Sequence, residues 1–65
     1  MKLEIGKKYK TRSGKEVWIT RSAPEKTRYP IFGVIPEVDN VECWMDNGRY
    51  SFYQEEQMDL IEEVA

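Results

Sequence analysis

Apolar and polar positions alternate over short runs along most of the chain, and glycine, proline or asparagine separates these runs. A period of two predicts β-strands, because successive side chains of a strand point to opposite faces. The run IFGVI at 31–35 is apolar throughout and lies between two prolines, as expected of a central strand covered on both faces. The tail EEQMDLIEEVA at 55–65 fits helical as well as strand spacing, and we favour a short closing strand.

A first hairpin is predicted between the runs KKYKTR and KEVWITRS. A two-residue loop would place lysines on the face of Val17 and Ile19, whereas a three-residue loop with Gly14 left-handed places Tyr9 there. We therefore predict the three-residue loop. The outer face of this hairpin then carries Lys8, Lys10, Glu16, Trp18 and Thr20. We expect Trp18 to lie close enough to a lysine for a cation–π contact.

A second hairpin is predicted around Asn47-Gly48, because both central residues of a type I′ turn need positive φ. A two-residue loop pairs Asp46 with Arg49, Met45 with Tyr50, Trp44 with Ser51, and Cys43 with Phe52. The apolar face then holds Val41, Cys43, Met45, Tyr50 and Phe52. The other face holds Glu42, Trp44, Asp46, Arg49, Ser51 and Tyr53. Trp44 therefore falls outside the apolar phase of its strand and shares a face with Tyr53.

The number and length of these runs indicate the fold class. Five or six short strands in 65 residues, with tight turns and little helix, predict an all-β fold, a small SH3-like antiparallel barrel. The segment SAPEKTRYP at 22–30 has two prolines and no apolar period, which predicts a long basic surface loop. The length is that of a single domain spanning 1–65.

Composition limits how such a domain is stabilised and in which cellular compartment we expect it. A chain of this length buries only about 60% of the surface that its unfolded form exposes. It has one cysteine and no histidine, so we expect neither an internal disulfide nor a zinc site of the usual kind. No apolar run approaches the roughly 20 residues of a membrane helix. We expect a soluble, cytoplasmic protein that relies on packing or on self-association.

Charge is divided unevenly between the two halves of the chain. Residues 1–30 carry nine Lys or Arg against three Glu, a net charge of +6, and residues 31–65 carry one Arg against nine acids, a net charge of −8. The basic half is either a surface for nucleic acid or an acidic partner, or it is neutralised by the acidic half across neighbouring strands. We favour neutralisation.

Four stretches occur in the order GKKYKTRSGKEV, YPIFGVI, CWMDNGRY and DLIEEV, and they cover nearly the whole chain. In this order they resemble a group of small phage- and prophage-encoded proteins. The shared frame has a Gly and Tyr before a Thr-Arg-x-Gly turn, a Tyr-Pro-Ile segment, a Trp-x-x-Asp/Asn-Gly-Arg-Tyr hairpin and a Leu-Val/Ile-Glu end. The resemblance implies an SH3-like barrel and a bacterial host cytoplasm, and it implies no established activity. The matched hairpin positions are Trp44, Gly48, Arg49 and Tyr50.

Catalysis is the class of function that the sequence favours least. There is no histidine to act as a base, and Cys43 is predicted on the apolar face, where a thiol is usually inert. The adjacent Glu55 and Glu56 would point to opposite sides of a strand. No glycine-rich phosphate loop or metal-spaced cluster occurs. We therefore expect no enzyme, no cofactor and no metal.

Binding is the favoured class, with a protein as the expected partner. The predicted protein-binding residues are the aromatic and arginine side chains Trp44, Arg49, Tyr53 and Trp18. The alternative is a nucleic-acid surface in which Trp18 stacks on a base and the basic side chains Lys8, Lys10, Arg12, Lys15, Arg21, Lys26 and Arg28 contact phosphates. A pI near 5.1 disfavours this alternative. Either tryptophan could instead cover the rim or an end of so small a barrel, or pack under the 22–30 loop or the C-terminal tail. An exposed aromatic patch could also form a homo-oligomer.

Overall fold

A computed structural model describes residues 2–25 and 27–64. These residues form five strands, β1 (Lys8–Thr11), β2 (Glu16–Ser22), β3 (Ile31–Ile35), β4 (Asn40–Trp44) and β5 (Leu60–Glu63), with a 3₁₀ turn at Pro36–Val38. All the strand pairings are antiparallel. The all-β prediction is therefore confirmed, and β5 confirms the predicted closing strand. No helix within the described residues is long and apolar enough to cross a membrane.

The strands lie in one sheet in the order β4-β3-β2-β1-β5. The first four strands form a meander, and the last strand returns to pair with the first. This order leaves β4 and β5 at the two edges, so hydrogen bonding does not close the sheet into a barrel. β3 lies between two neighbours, as its apolar run predicts, and Pro36 begins the 3₁₀ turn directly after it. The expected cover on both faces of β3 is not found, because Phe32 and Val34 on its outer face are only half-buried.

The first hairpin has the predicted three-residue loop. Tyr9 lies opposite Val17, as expected. The Thr11 amide donates to the carbonyl of Lys15 at 2.8 Å, and the Gly14 amide donates back to the carbonyl of Thr11 at 2.9 Å. Gly14 has φ +97°, a left-handed conformation that glycine adopts without a steric cost. The turn thus sets the register that places Tyr9 inside.

A β-bulge divides β2 into two parts. Ile19 lies opposite Gly33 and Arg21 lies opposite Phe32, so that Thr20 is an extra residue in β2. The Thr20 hydroxyl donates to the Phe32 carbonyl at 3.3 Å. Without the bulge, Arg21 would share the inner face with Ile19, and the extra residue turns it to the outer face beside Phe32.

One face of the sheet carries the hydrophobic core. The buried apolar side chains are Leu3, Tyr9, Val17, Ile19, Ile31, Ile35, Trp44 and Leu60, and Tyr50 and Met58 pack against them. The predicted core positions Tyr9 and Tyr50 thus belong to or contact this core. The Tyr9 hydroxyl accepts from the Glu4 amide at 2.9 Å and donates to the Lys2 carbonyl at 3.2 Å. It therefore ties the segment before β1 to the core.

The predicted face of β4 is wrong. Trp44 is fully buried, whereas Val41 is 65% exposed and Cys43 is half-buried on the outer face. The register explains the reversal, because Trp44 lies opposite the buried Ile31 of β3. Gly33 leaves space for the indole, since a Cβ there would lie 3.2 Å from the Trp44 ring. The outward Trp44 predicted from strand alternation is therefore a core residue.

The predicted second hairpin is also wrong, apart from the position of its turn. Its loop has three residues rather than two, because the Met45 amide donates to the Arg49 carbonyl at 2.8 Å and Gly48 has φ +93°. This repeats the geometry of the first hairpin. Residues 49–53 then leave the sheet without forming a strand, so the pairs predicted for Tyr50, Ser51 and Phe52 do not form. Phe52, predicted in the core, is 50% exposed.

Candidate functional site

The most exposed aromatic side chains in the described part of the chain are adjacent and lie next to an arginine. Tyr53 is 84% exposed, and its ring meets that of Phe52 edge-on, with centroids 5.3 Å apart and an interplanar angle of 86°. The Arg28 guanidinium lies 4.6 Å from the Phe52 ring centroid. These three residues form the aromatic–arginine cluster. It joins the 23–30 loop to the segment after the second turn.

The segment that carries Phe52 and Tyr53 is irregular, and one buried carboxylate fixes both of its ends. Asp59 accepts from the Tyr50 amide at 2.8 Å and from the Glu56 amide at 3.1 Å. It also accepts from the Arg12 guanidinium at 3.3 Å. The Ser51 hydroxyl accepts from the Tyr53 amide at 3.1 Å, which shapes the turn between those ends. The loop that carries Phe52 and Tyr53 is therefore held in place by hydrogen bonds to Asp59, and we call it the braced loop.

The environment of Asp59 keeps its carboxyl ionised. Burial favours the neutral acid, but the hydrogen bonds from the Tyr50 amide, the Glu56 amide and Arg12 together outweigh it and lower the pKa of Asp59. Arg12 also donates to the Glu56 carbonyl at 3.3 Å and lies 3.7 Å from a carboxylate oxygen of Glu55. Arg12 thus acts as part of this brace.

The indole of Trp44 anchors the same segment from inside. Its Nε1–H donates to the Met58 carbonyl at 2.7 Å, and its ring lies 6.2 Å from that of Tyr50. The Tyr50 hydroxyl donates to a Glu42 carboxylate oxygen at 2.9 Å. This bond, followed by burial and the Glu42 charge, raises the pKa of Tyr50. Trp44 therefore supports the candidate site from the core and offers a partner no surface.

The four residues predicted to bind a protein do not form one surface. Trp44 is buried, and Tyr53 belongs to the aromatic–arginine cluster. Trp18 is 43% exposed on the outer face of β2, where Lys8 lies 5.1 Å from its ring as predicted. Arg49 is half-buried, and its amide donates to the Asn47 side chain at 3.0 Å. Sequence reasoning missed Phe52, because it was predicted on the apolar face, and it missed Arg28 as a neighbour of Phe52, because only the folded loops bring these two residues together.

Two of the residues predicted to contact nucleic acid form ion pairs with carboxylates, and a third lies opposite glutamates on the neighbouring strands. Lys8 pairs with Glu16 at 3.2 Å. Lys10 lies opposite Glu16 on one side and Glu62 on the other. Arg12 is held by Asp59, as described above. Arg21 and Arg28 lie over aromatic rings, Lys15 is half-buried, and Lys26 lies outside the described residues. The favoured neutralisation between strands thus accounts for part of the basic half.

Similarity to known proteins gives no further guide to the site. No protein-family model, curated protein or solved structure matches the chain. Within the described residues, no group of three or more metal-ligating side chains of His, Cys, Asp or Glu occurs. The aromatic–arginine cluster, defined by its own geometry, is therefore the candidate site.

Proposed function

We propose that the protein is a non-catalytic binding module that engages a protein partner through the aromatic–arginine cluster. The observation that supports this function is the exposure of Tyr53 and Phe52 beside Arg28 on a braced loop. Tyrosine and arginine are among the residues that dominate binding energy at protein interfaces. A loop that is already fixed loses less conformational entropy on binding than a mobile one.

The chemistry of the cluster favours a partner with apolar and acidic groups. Two aromatic rings supply the apolar area, and the guanidinium presents its N–H groups to a carboxylate. Among the described residues, no carboxylate oxygen lies within 4.0 Å of the Arg28 guanidinium. A charged group of the partner can therefore pair with Arg28 without first breaking an internal ion pair.

A nucleic-acid function has less support. The phosphate contacts that it requires include Lys8 and Arg12, and both already pair with carboxylates. Loss of those pairs would offset part of the electrostatic gain on binding phosphate. The net charge of −2 also repels a polyanion at long range.

The proposal extends to the type of β-fold and to the origin of the protein. We propose that the five-stranded sheet is an open SH3-like barrel, which is supported by the return of β5 to β1 and by the bulge that divides β2. The frame shared with small phage- and prophage-encoded proteins supports a phage or prophage origin and action in a bacterial host cytoplasm. The expected partner is then a host protein or a phage protein in the cytoplasm of the infected bacterium.

A pull-down from bacterial lysate tests the proposed function. Tagged protein is incubated with lysate that is divided into a nuclease-treated and an untreated half, and stoichiometric partners are identified by mass spectrometry. Tyr53→Ala and Arg28→Gln should each reduce partner recovery by about tenfold or more. The matched control is Ile61→Ala, which removes an exposed apolar side chain from β5, outside the cluster.

A folding control and two alternative outcomes decide how the pull-down is interpreted. Thermal melts of Tyr53→Ala should match the wild type, because the side chain is almost fully exposed. Equal recovery by wild type and both cluster variants would exclude this surface. Recovery of nucleic acid alone, with protein partners lost after nuclease treatment, would favour the alternative function.

A further inference from the structure

The outer face of the sheet carries a second group of apolar side chains, separate from the aromatic–arginine cluster. The register places Trp18, Val34 and Val41 directly opposite one another on three neighbouring strands. The next row along these strands contains Phe32 and Cys43. We call these five residues the outer-face strip. It runs across β2, β3 and the edge strand β4.

The strip is accessible to solvent in the isolated domain. Val41 and Trp18 are exposed, and Phe32, Val34 and Cys43 are half-buried. The core lies on the other face of the sheet, so none of these side chains is needed to fill it. Scattered exposed apolar residues are ordinary, whereas a continuous row across three strands indicates a docking surface.

Cations flank the strip and lie over its two aromatic rings. The Arg21 guanidinium lies 4.4 Å from the Phe32 ring centroid, and the Lys8 ammonium lies 5.1 Å from that of Trp18. Within the described residues, no carboxylate oxygen comes within 4.0 Å of Arg21. The β2 bulge is what brings Arg21 to this face. The apolar rows are therefore complemented by a positive charge that has no internal counterion in this part of the chain.

We propose that the outer-face strip is a second docking surface, and that its occupant is a protein segment with aliphatic side chains flanked by carboxylates. The aliphatic groups of the partner cover Val34 and Val41, and one of its carboxylates pairs with the N–H edge of the Arg21 guanidinium. The planar face of that guanidinium stays on the Phe32 ring. This geometry uses both the apolar rows and the charge beside them. It does not depend on the aromatic–arginine cluster.

A peptide selection tests both the surface and the chemistry of its occupant. A displayed library of random dodecapeptides is enriched on the immobilised domain, and the Kd of each enriched peptide is measured by fluorescence anisotropy. Enriched peptides should combine aliphatic residues with Asp or Glu. Val41→Lys should weaken their binding by about tenfold or more, and Arg21→Gln by about fivefold.

Matched variants separate this surface from general adhesion and from the proposed function. Ile61→Lys introduces the same charge at an exposed apolar residue of β5 and should leave the Kd within about twofold of the wild type. Tyr53→Ala should also leave it unchanged, because that residue belongs to the other cluster. A thermal melt of each variant verifies folding, and Arg21→Gln remains informative if Val41→Lys fails to fold.

Four results would overturn the inference, in addition to an unchanged Kd for both Val41→Lys and Arg21→Gln. The first is enrichment of no peptide, and the second is enrichment of basic or uncharged apolar peptides. The third is tight binding of a single-stranded oligothymidine that Arg21→Gln weakens, which would assign the face to nucleic acid. The fourth is concentration-dependent dimerisation of the free domain that Val41→Lys abolishes, which would assign it to a second copy of the chain.

Discussion

Replacement of Asp59 by alanine tests whether one buried carboxylate organises the segment that carries the candidate site. The substitution removes the acceptor for two backbone amides and for Arg12. A hydrogen bond to a charged group contributes about 1.5–3 kcal/mol, but the freed donors partly recover bonds to water, so we expect a loss of about 2–4 kcal/mol. Domains of this size rarely exceed about 3–5 kcal/mol of stability, so Asp59→Ala should be close to its unfolding midpoint at 25 °C.

Urea unfolding in a Trp18→Phe background measures this loss, because Trp44 is then the single tryptophan and its indole bonds to the same segment. Asp59→Asn keeps the shape and one acceptor oxygen but removes the charge, and should cost about 1–2 kcal/mol at pH 7. A loss below about 0.5 kcal/mol for Asp59→Ala would refute the role of the carboxylate as a brace.

The pH dependence of the stability of wild type and of Asp59→Asn provides a second criterion. The pKa of Asp59 is lowered in the folded state, so its stabilising contribution is complete above the unfolded value near 3.9 and is lost as the pH falls through the folded value. The stability difference between wild type and Asp59→Asn should therefore shrink below about pH 4. A difference that stays constant from pH 7 to pH 3 would contradict the assigned charge state.

Two further predictions concern the core and its edge. Gly33→Ala should destabilise the protein by about 1–3 kcal/mol in urea unfolding, because the new Cβ would lie 2.8 Å from a backbone oxygen and from a core methyl group; unchanged stability would show that β2 can move away from β3. Glu42→Gln should lower the pKa of Tyr50 towards its ordinary value of about 10, since the Glu42 carboxylate favours the protonated phenol. An NMR titration of the tyrosine Cζ signals measures this shift, and a pKa that stays raised would assign the effect to burial.

The sequence predicted the first half of the fold better than the second, and the difference has a physical origin. In the first hairpin, the requirement to bury Val17 and Ile19 selected the correct three-residue loop. The second turn has the same three-residue loop. The similarity between TRSGK in the first turn and MDNGR in the second was the sequence signal that favoured this loop length. The local preference of Asn-Gly for a two-residue loop suggested another register.

The face of β4 and the path of the following segment depend on contacts between residues far apart in the chain. Trp44 is buried because Gly33 leaves room for its ring and the Met58 carbonyl accepts its N–H. Neither condition can be read from the alternation of residues 41–45. The same holds for the candidate site, where Arg28 and Phe52 come together only through the folded loops.

The packing of Gly33 also limits how the sequence of this protein can change over time. A larger residue at a crowded core position is often tolerated when a neighbouring side chain becomes smaller, and such exchanges allow cores to drift. Here one of the obstructing atoms is the main-chain oxygen of Trp18, which no substitution can remove. Shortening Trp44 or Val17 would relieve only the remaining contacts. Homologous chains that keep this sheet should therefore retain glycine at this position, even where the indole that packs against it has been replaced.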